Sequence, residues 1–248
     1  MGGVVERALR SLRDLEGERP TEVLVRLAWT VHFALREPHG AADVDRRFDA
    51  RYGVDTGGVT RLATLRIDSE HRDLGADHVA FDPDALDAAL DRLPDDLAGF
   101  SFVDLGSGKG RAVLVAARRR FRRVVGVEFS RALHRVALEN VARFPRAELR
   151  CGRVELTCAD AASFELPRED LVLFLNDPFE REVMEKVTAA ARDSLRDAPR
   201  RLYVLYASPR HAAVWAHTGF EALAHDDDLA LFGPPRAAGA HLRLVRTA

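Results

Sequence analysis

The chain has 248 residues, with 37 Lys and Arg against 39 Asp and Glu and a formal net charge of −2. That length serves one α/β domain with an appendage, or two small domains, and allows a substantial core. The near-neutral charge argues against a general polyanion binder and makes nucleic acid an unlikely partner. The two cysteines, Cys151 and Cys158, have neither zinc spacing nor a disulfide framework. Charges throughout the first residues leave no apolar core for a secretory signal, and the longest uncharged apolar stretch, Leu27 to Leu35, is too short to span a bilayer. The expectation is a cytoplasmic protein with no membrane role.

Taken in order, residues 4–15 have a helical apolar stripe (Val5, Ala8, Leu9, Leu12, Leu15), and a second helix runs from Thr21 to Arg36 and stops before Pro38. The segment from Phe48 to Gly58 fits neither the helical nor the strand period and reads as a turn between helical pieces. Pro83 opens a helix whose stripe is Leu86, Ala89, Leu90 and Leu93. From Phe100 onward, apolar runs alternate with helical patterns, as a parallel doubly wound sheet requires. The strands are Phe102 to Leu105, Val124 to Val127, Val154 to Cys158, Leu171 to Leu175 and Leu202 to Ala207. Segments around Phe220 to Ala224 and His241 to Val245 supply the last two. Between the second and third strands lies a helix with a buried face of Leu133, Val136, Ala137, Val141 and Phe144, capped by Ser130. The basic run Arg118 to Arg123 falls at a helix end and reads as a solvated, dipole-complementing terminus. Residues 1–75 are expected to form a helical cap or lid, and residues 76–248 the main domain.

The chemistry concentrates where the first strand meets Asp104-Leu-Gly-Ser-Gly-Lys-Gly110. A strand, a glycine turn and a helix bring a ligand against bare backbone beyond the strand's carboxyl end. Arg111 stands where a dinucleotide fingerprint needs its third glycine, and Gly110 follows Lys109 where a triphosphate loop needs Ser or Thr. Both phosphate readings are weakened. The motif resembles the first motif of class I S-adenosylmethionine-dependent methyltransferases. The resemblance implies a Rossmann-like, seven-stranded α/β methyltransferase sheet with a final antiparallel strand inserted, here with an N-terminal helical appendage, and S-adenosylmethionine as cofactor. It places Asp104, Gly106, Ser107, Gly108 and Gly110 around the cofactor.

Glu128 ends the second strand, where a carboxylate accepts both ribose hydroxyl protons and would repel a 2′-phosphate. Asp160, in an Ala-Asp-Ala after the third strand, is similar to the family's adenine-binding aspartate; on its residues alone it serves equally as a helix N-cap. Tyr52-Gly-Val-Asp-Thr56 resembles the lid loop of the non-SET histone lysine methyltransferases, which implies that Tyr52 walls the acceptor site and Thr56 touches the cofactor. Phe81-Asp-Pro83 resembles an aromatic segment of bacterial relatives of that group and makes Phe81 a further cofactor contact. Asn176-Asp177-Pro178-Phe179, ending the fourth strand, is similar to the [D/N/S]-P-P-aromatic motif of amine methylases, with one proline fewer. Asn176 and the turn at Asp177 would orient the acceptor nitrogen, Phe179 would stack beside it, and Asn176 would also reach the cofactor. The implied reaction is N-methylation of an amine, protein lysine first and a small molecule second; a biosynthetic small-molecule enzyme and a non-catalytic cofactor-binding module are the alternatives. No metal site is expected from the sequence, and nothing in it fixes the oligomeric state.

Overall fold

The apolar runs become a seven-stranded sheet in the computed structural model, which describes residues 39–93, 96–225 and 228–235. The expected helices at 4–15 and Thr21–Arg36, and the strand at His241–Val245, lie outside the described residues. The chain divides into two compact units, Met1–Val44 and Asp45–Ala248. Residues 45–75 cluster with the sheet-bearing unit.

In chain order, helix α1 (His39–Tyr52) is followed by a two-residue ribbon, β1 (Val59–Thr60) against β2 (His78–Val79), and by α2 (Pro83–Asp91). Asp82 caps α2 by accepting the N–H groups of Asp84 and Ala85, and Pro83 sits at its first turn. The doubly wound part then reads β3 (Ser101–Leu105), α3 (Arg111–Ala117), β4 (Arg123–Glu128), α4 (Arg131–Arg143), β5 (Val154–Cys158), β6 (Leu171–Asn176), α5 (Arg181–Asp197) and β7 (Leu202–Ala207). Helix α6 (Ala212–His217) leads to β8 (Glu221–His225) and β9 (Leu229–Gly233). The strand order is β5-β4-β3-β6-β7-β9-β8, with β9 alone reversed between β7 and β8. The inserted antiparallel strand is therefore Leu229–Gly233, and this strand completes the sheet within the described residues.

Strands β3 and β7 are buried along their whole length, so they carry no polar alternation, while the edge strands β5 and β8 are half-buried to exposed. One apolar layer packs Phe48 and Tyr52 of α1, α2 and the whole of α3 against Phe102, Phe174 and Leu205. The other packs Val183, Met184, Val187 and Ala191 of α5 with Trp215 against Val103, Leu173 and Val204. That stripe on α5 follows the helical period. On α4 the buried face takes in Asn140 in place of Val136 and Val141, which are only half-buried. The Asn140 amide donates to the Asp55 and Lys109 carbonyls and accepts the Asp55 N–H, so a buried polar side chain is satisfied inside the fold.

Arg111, in the place of a third glycine, is 3% exposed. Its guanidinium pairs with Asp45, donates to Thr56 Oγ1 at 2.8 Å and lies over the Phe48 ring. Asp49 accepts the N–H groups of Thr56 and Gly57 from the same loop. Of the basic run at the end of α3, Arg120 and Arg122 are exposed, while Arg118 and Arg119 bond Asp87 of α2 and Arg119 also pairs with Asp91. Carboxylates on α2 draw these arginines across the surface. Arg111→Ala leaves Asp45 and Asp49 without their cation, and the expected loss is about 3 kcal/mol, read as a lower urea midpoint at unchanged slope; an unchanged midpoint would show the cluster to be energetically idle.

Candidate active site

The sheet order sets the carboxyl ends of β5, β4, β3 and β6 side by side, and the chain leaves β3 in one direction and returns to its other side as β6. A crevice opens at such a switch point. Gly106, Gly108 and Gly110 all take left-handed backbone there (φ +83°, +54° and +87°), which favours glycine. A Cβ on Gly106 would stand 2.6 Å from Pro178 Cβ, and one on Gly108 would stand 2.1 Å from His78 Nδ1. The turn is held in register by Val127, whose carbonyl accepts the Gly106 and Ser107 N–H groups at 2.9 and 3.0 Å.

Glu128, 3% exposed, accepts the Gly108 and Ser130 N–H groups, each at 2.8 Å. Burial pushes its pKa up to about 7, and the backbone donors only partly offset that. Asp104 is also 3% exposed; burial first, and then the neighbouring Glu128, push its pKa well above the carboxylate range. Two acids thus stand beneath one turn, and burial favours the neutral form of each.

Residues 69–79 run across these strand ends as a strap. Leu74 accepts the Glu180 N–H, the Ala76 N–H donates to the Pro178 carbonyl, and Gly75 bridges to Phe179. Asn176 Nδ2 donates to the Val79 carbonyl at 2.8 Å. At the strap's other end Ser69 and His71 Nδ1 bond Asp160 Oδ2, and Lys186 reaches His71 Nε2.

Of the residues singled out in the sequence, Gly106, Gly108, Glu128, Asn176 and Phe179 line one cleft. Ser107 lies beside it with its hydroxyl buried and unpartnered, Gly110 forms the N-cap of α3, and Asp104 lies on β3 just before the turn. Five others stand elsewhere. Tyr52 is buried between the rings of Phe48 and Phe144, so it is a core residue and does not wall the cleft. Thr56 is fully buried and spends its hydroxyl on Asp49 and Arg111. Phe81 packs on Phe174 in the sheet's apolar layer. Asp160 caps the short turn Ala161–Ser163 and anchors the strap; burial alone would raise its pKa, but Ser69 and His71 hold it below the ordinary value. Asp177, at φ +40°, turns its carboxylate away to Tyr206 and Arg210, and Arg210 goes on to Glu180. The cleft also takes Leu65, His78, Val79, Phe129, Ala159 and Ala161, which sequence reasoning did not single out. The two-residue ribbon that carries His78 and Val79 is too short to show any period.

The donor set suits S-adenosylmethionine. Glycines leave bare backbone at the turn, a buried carboxylate at the end of β4 can take ribose hydroxyls, and Ser107 Oγ and His78 Nε2 are buried without partners. Residues 102–198 match the family model described as a methyltransferase domain. A search of curated proteins finds none similar to the chain. Among solved structures, an RNA methyltransferase from Salinibacter ruber in complex with S-adenosylhomocysteine is 21% identical, with 66% of this chain and 99% of that one covered and a TM-score of 0.43. The T. thermophilus 16S rRNA N2 G1207 methyltransferase is also 21% identical, covering 64% of this chain and 44% of that one at a TM-score of 0.47. A ribosomal protein L11 methylase from Lactobacillus delbrueckii is 14% identical, covering 70% and 86% at 0.47. Two of these are named as RNA methyltransferases, which corrects the expectation that nucleic acid is an unlikely partner: a near-neutral net charge does not set it aside. No helix among the described residues is long and apolar enough to cross a membrane. The glycine turn and the acid at the end of β4 both lie within residues 102–198, the stretch that is similar to the methyltransferase-domain family.

Proposed function

We propose that this chain methylates an amine nitrogen. The observation that carries the reading is Asn176 at the end of β6, lining the cleft with its Nδ2 committed to the Val79 carbonyl. That bond fixes the amide's sense and leaves Oδ1, an acceptor only, for a hydrogen on the incoming nitrogen. Holding that hydrogen aims the lone pair along a defined line, which is the main service a methyltransferase must provide. S-adenosylmethionine supplies a methyl group already activated on a sulfonium. Phe179, 7% exposed and in the same wall, offers a ring that tolerates positive charge growing on the nitrogen. A protein lysine is the first acceptor to test and a small-molecule amine the second. Tyr52 and Thr56, on which the likeness to lysine methylases rested, are spent inside the fold and add nothing to that choice.

Asn176→Ala should lower turnover tenfold or more while S-adenosylhomocysteine binds within about twofold of wild type, since the lost bond is to the acceptor. Mass spectrometry of the product decides the atom: a methyl group on nitrogen supports the reading, and one on oxygen or carbon overturns it.

Glu128 generates a pH prediction. Its folded value of about 7 lies above the ordinary 4.5, so its contribution to the ligand-free protein's stability is complete below 4.5 and is lost as the pH rises through 7. The whole span is on the order of 3 kcal/mol. The ionised form is the one that accepts ribose hydroxyls, so affinity for S-adenosylhomocysteine should climb from pH 6 to pH 8 and then level. Calorimetry across that range tests this, and Glu128→Ala should cost about 1–3 kcal/mol of binding and flatten the profile.

A further inference from the structure

We propose that Asn140 is a positioning residue for the cofactor: it holds the second half of the glycine turn in its binding shape, from behind, without lining the cleft itself. This rests on the cleft being the S-adenosylmethionine site.

The two halves of the turn are fastened differently. The first half is tied to β4, where the Val127 carbonyl accepts the Gly106 and Ser107 N–H groups and Glu128 accepts that of Gly108. The second half ends in Gly110, left-handed at φ +87°, whose N–H turns back to the Ser107 carbonyl at 2.8 Å. Glycine loses more freedom on ordering than any other residue, so this half needs a hold from outside the turn. Helix α4 supplies it. Asn140 Nδ2 donates at 2.9 Å to the Lys109 carbonyl, on the peptide that joins Lys109 to Gly110. Ala137, three residues earlier on the same face, stands where a Cβ on Gly110 would meet it at 3.3 Å.

Asn140 is itself locked in place. Its Nδ2 also donates to the Asp55 carbonyl at 2.7 Å, and its Oδ1 accepts the Asp55 N–H at 2.8 Å, which fixes the sense of the amide. The Asp55 carboxylate in turn takes the Lys109 ammonium at 2.8 Å, and that ammonium also donates to the Gly57 carbonyl. Asn140, Asp55 and Lys109 thereby close a ring of hydrogen bonds between α4, the loop after α1 and the turn. Asp49 secures the far side of the loop through the Thr56 and Gly57 N–H groups. The loop whose letters resemble a lid thus works as a buttress. Asn140 is fully buried, in line with Leu133 and Ala137, where the helical period calls for an apolar side chain. A leucine would fill that space, but only a satisfied amide gives a directional hold. A turn already held in its bound shape loses less freedom when the ligand arrives, and affinity gains by that difference.

Two variants separate the hold from the packing. Asn140→Ala removes every one of these bonds and leaves room for water to take the freed groups. Asn140→Asp keeps the shape and an oxygen for the Asp55 N–H but loses the Nδ2 donors. By calorimetry both should bind S-adenosylhomocysteine about tenfold or more weakly than wild type. Val187→Ala, a truncation in the apolar layer on the other side of the sheet, should lower the urea midpoint yet leave that affinity within about twofold, which sets positioning apart from plain loss of stability. In ¹⁵N-labelled protein the Gly110 N–H should exchange about tenfold faster in Asn140→Asp than in wild type, and saturating S-adenosylhomocysteine should restore its protection. In the wild-type protein the side-chain amide resonances of Asn140 should move on titration with the same ligand, a reading for which no variant has to fold. Wild-type affinity in Asn140→Asp, equal weakening in Val187→Ala, or unmoved Asn140 amide resonances would overturn the assignment. If the wild-type protein bound no S-adenosylhomocysteine, the cofactor reading itself would fall, and the role of Asn140 with it.

Discussion

The site depends on how closely two strand-end turns approach. Gly106, leaving β3, and Pro178, leaving β6, are near enough that no side chain fits between them. Parallel pairing of β3 with β6 brings those ends level, and a left-handed backbone at Gly106 folds the first turn under the second. Asn176 and Phe179 on either side of Pro178 are then delivered over the glycine turn, and Glu128 reaches it from β4. A bulkier residue at position 106 would push the β6 turn outward and take the Asn176 amide with it.

Around that contact the protein spends charge on its own architecture. Arg111 is buried against Asp45 and Asp49, Arg118 and Arg119 reach across to α2, and Arg210 lies among Asp177, Glu180 and Tyr206. Such pairs add little net stability compared with apolar packing, but a lone partner would be costly, so they fix geometry more than they strengthen it. The pairing also shows why an excess of arginine over lysine says little here about a polyanion partner: many of these guanidinium groups face carboxylates of the same chain.

Asp104 and Glu128 have a different part. Both are buried beneath the glycine turn, and burial raises the pKa of each. A ligand that offers hydrogen-bond donors favours their ionised forms, so its binding is linked to proton release wherever these acids are neutral. The strap of residues 69–79 closes the same space from above and is anchored on the β5 side by Asp160 and on the β6 side by Pro178 and Asn176.

The strands were legible in the sequence because fully buried parallel strands are unbroken apolar runs, and the glycine turn because only glycine tolerates three left-handed residues in so short a space. The acid at the end of β4 and the amide at the end of β6 followed, since strand ends are where such folds bind ligands. What the sequence could not decide was which way a polar side chain turns. Asp160 and Asp177 stand beside residues of the cleft, yet one caps a turn and ties down the strap while the other pairs with Arg210. Tyr52 and Thr56 carry a motif's letters but are drawn into the core by Phe144 and Arg111, residues distant in the chain. The same holds in reverse for His78. Its ribbon has no period of its own, and only the pairing of Val59 with Val79 and the bond from Asn176 bring its ring over Gly108. Local sequence determines the elements and their ends; contacts between distant residues decide which of the groups at those ends face the ligand, because each polar side chain turns to the partner that tertiary folding brings within reach.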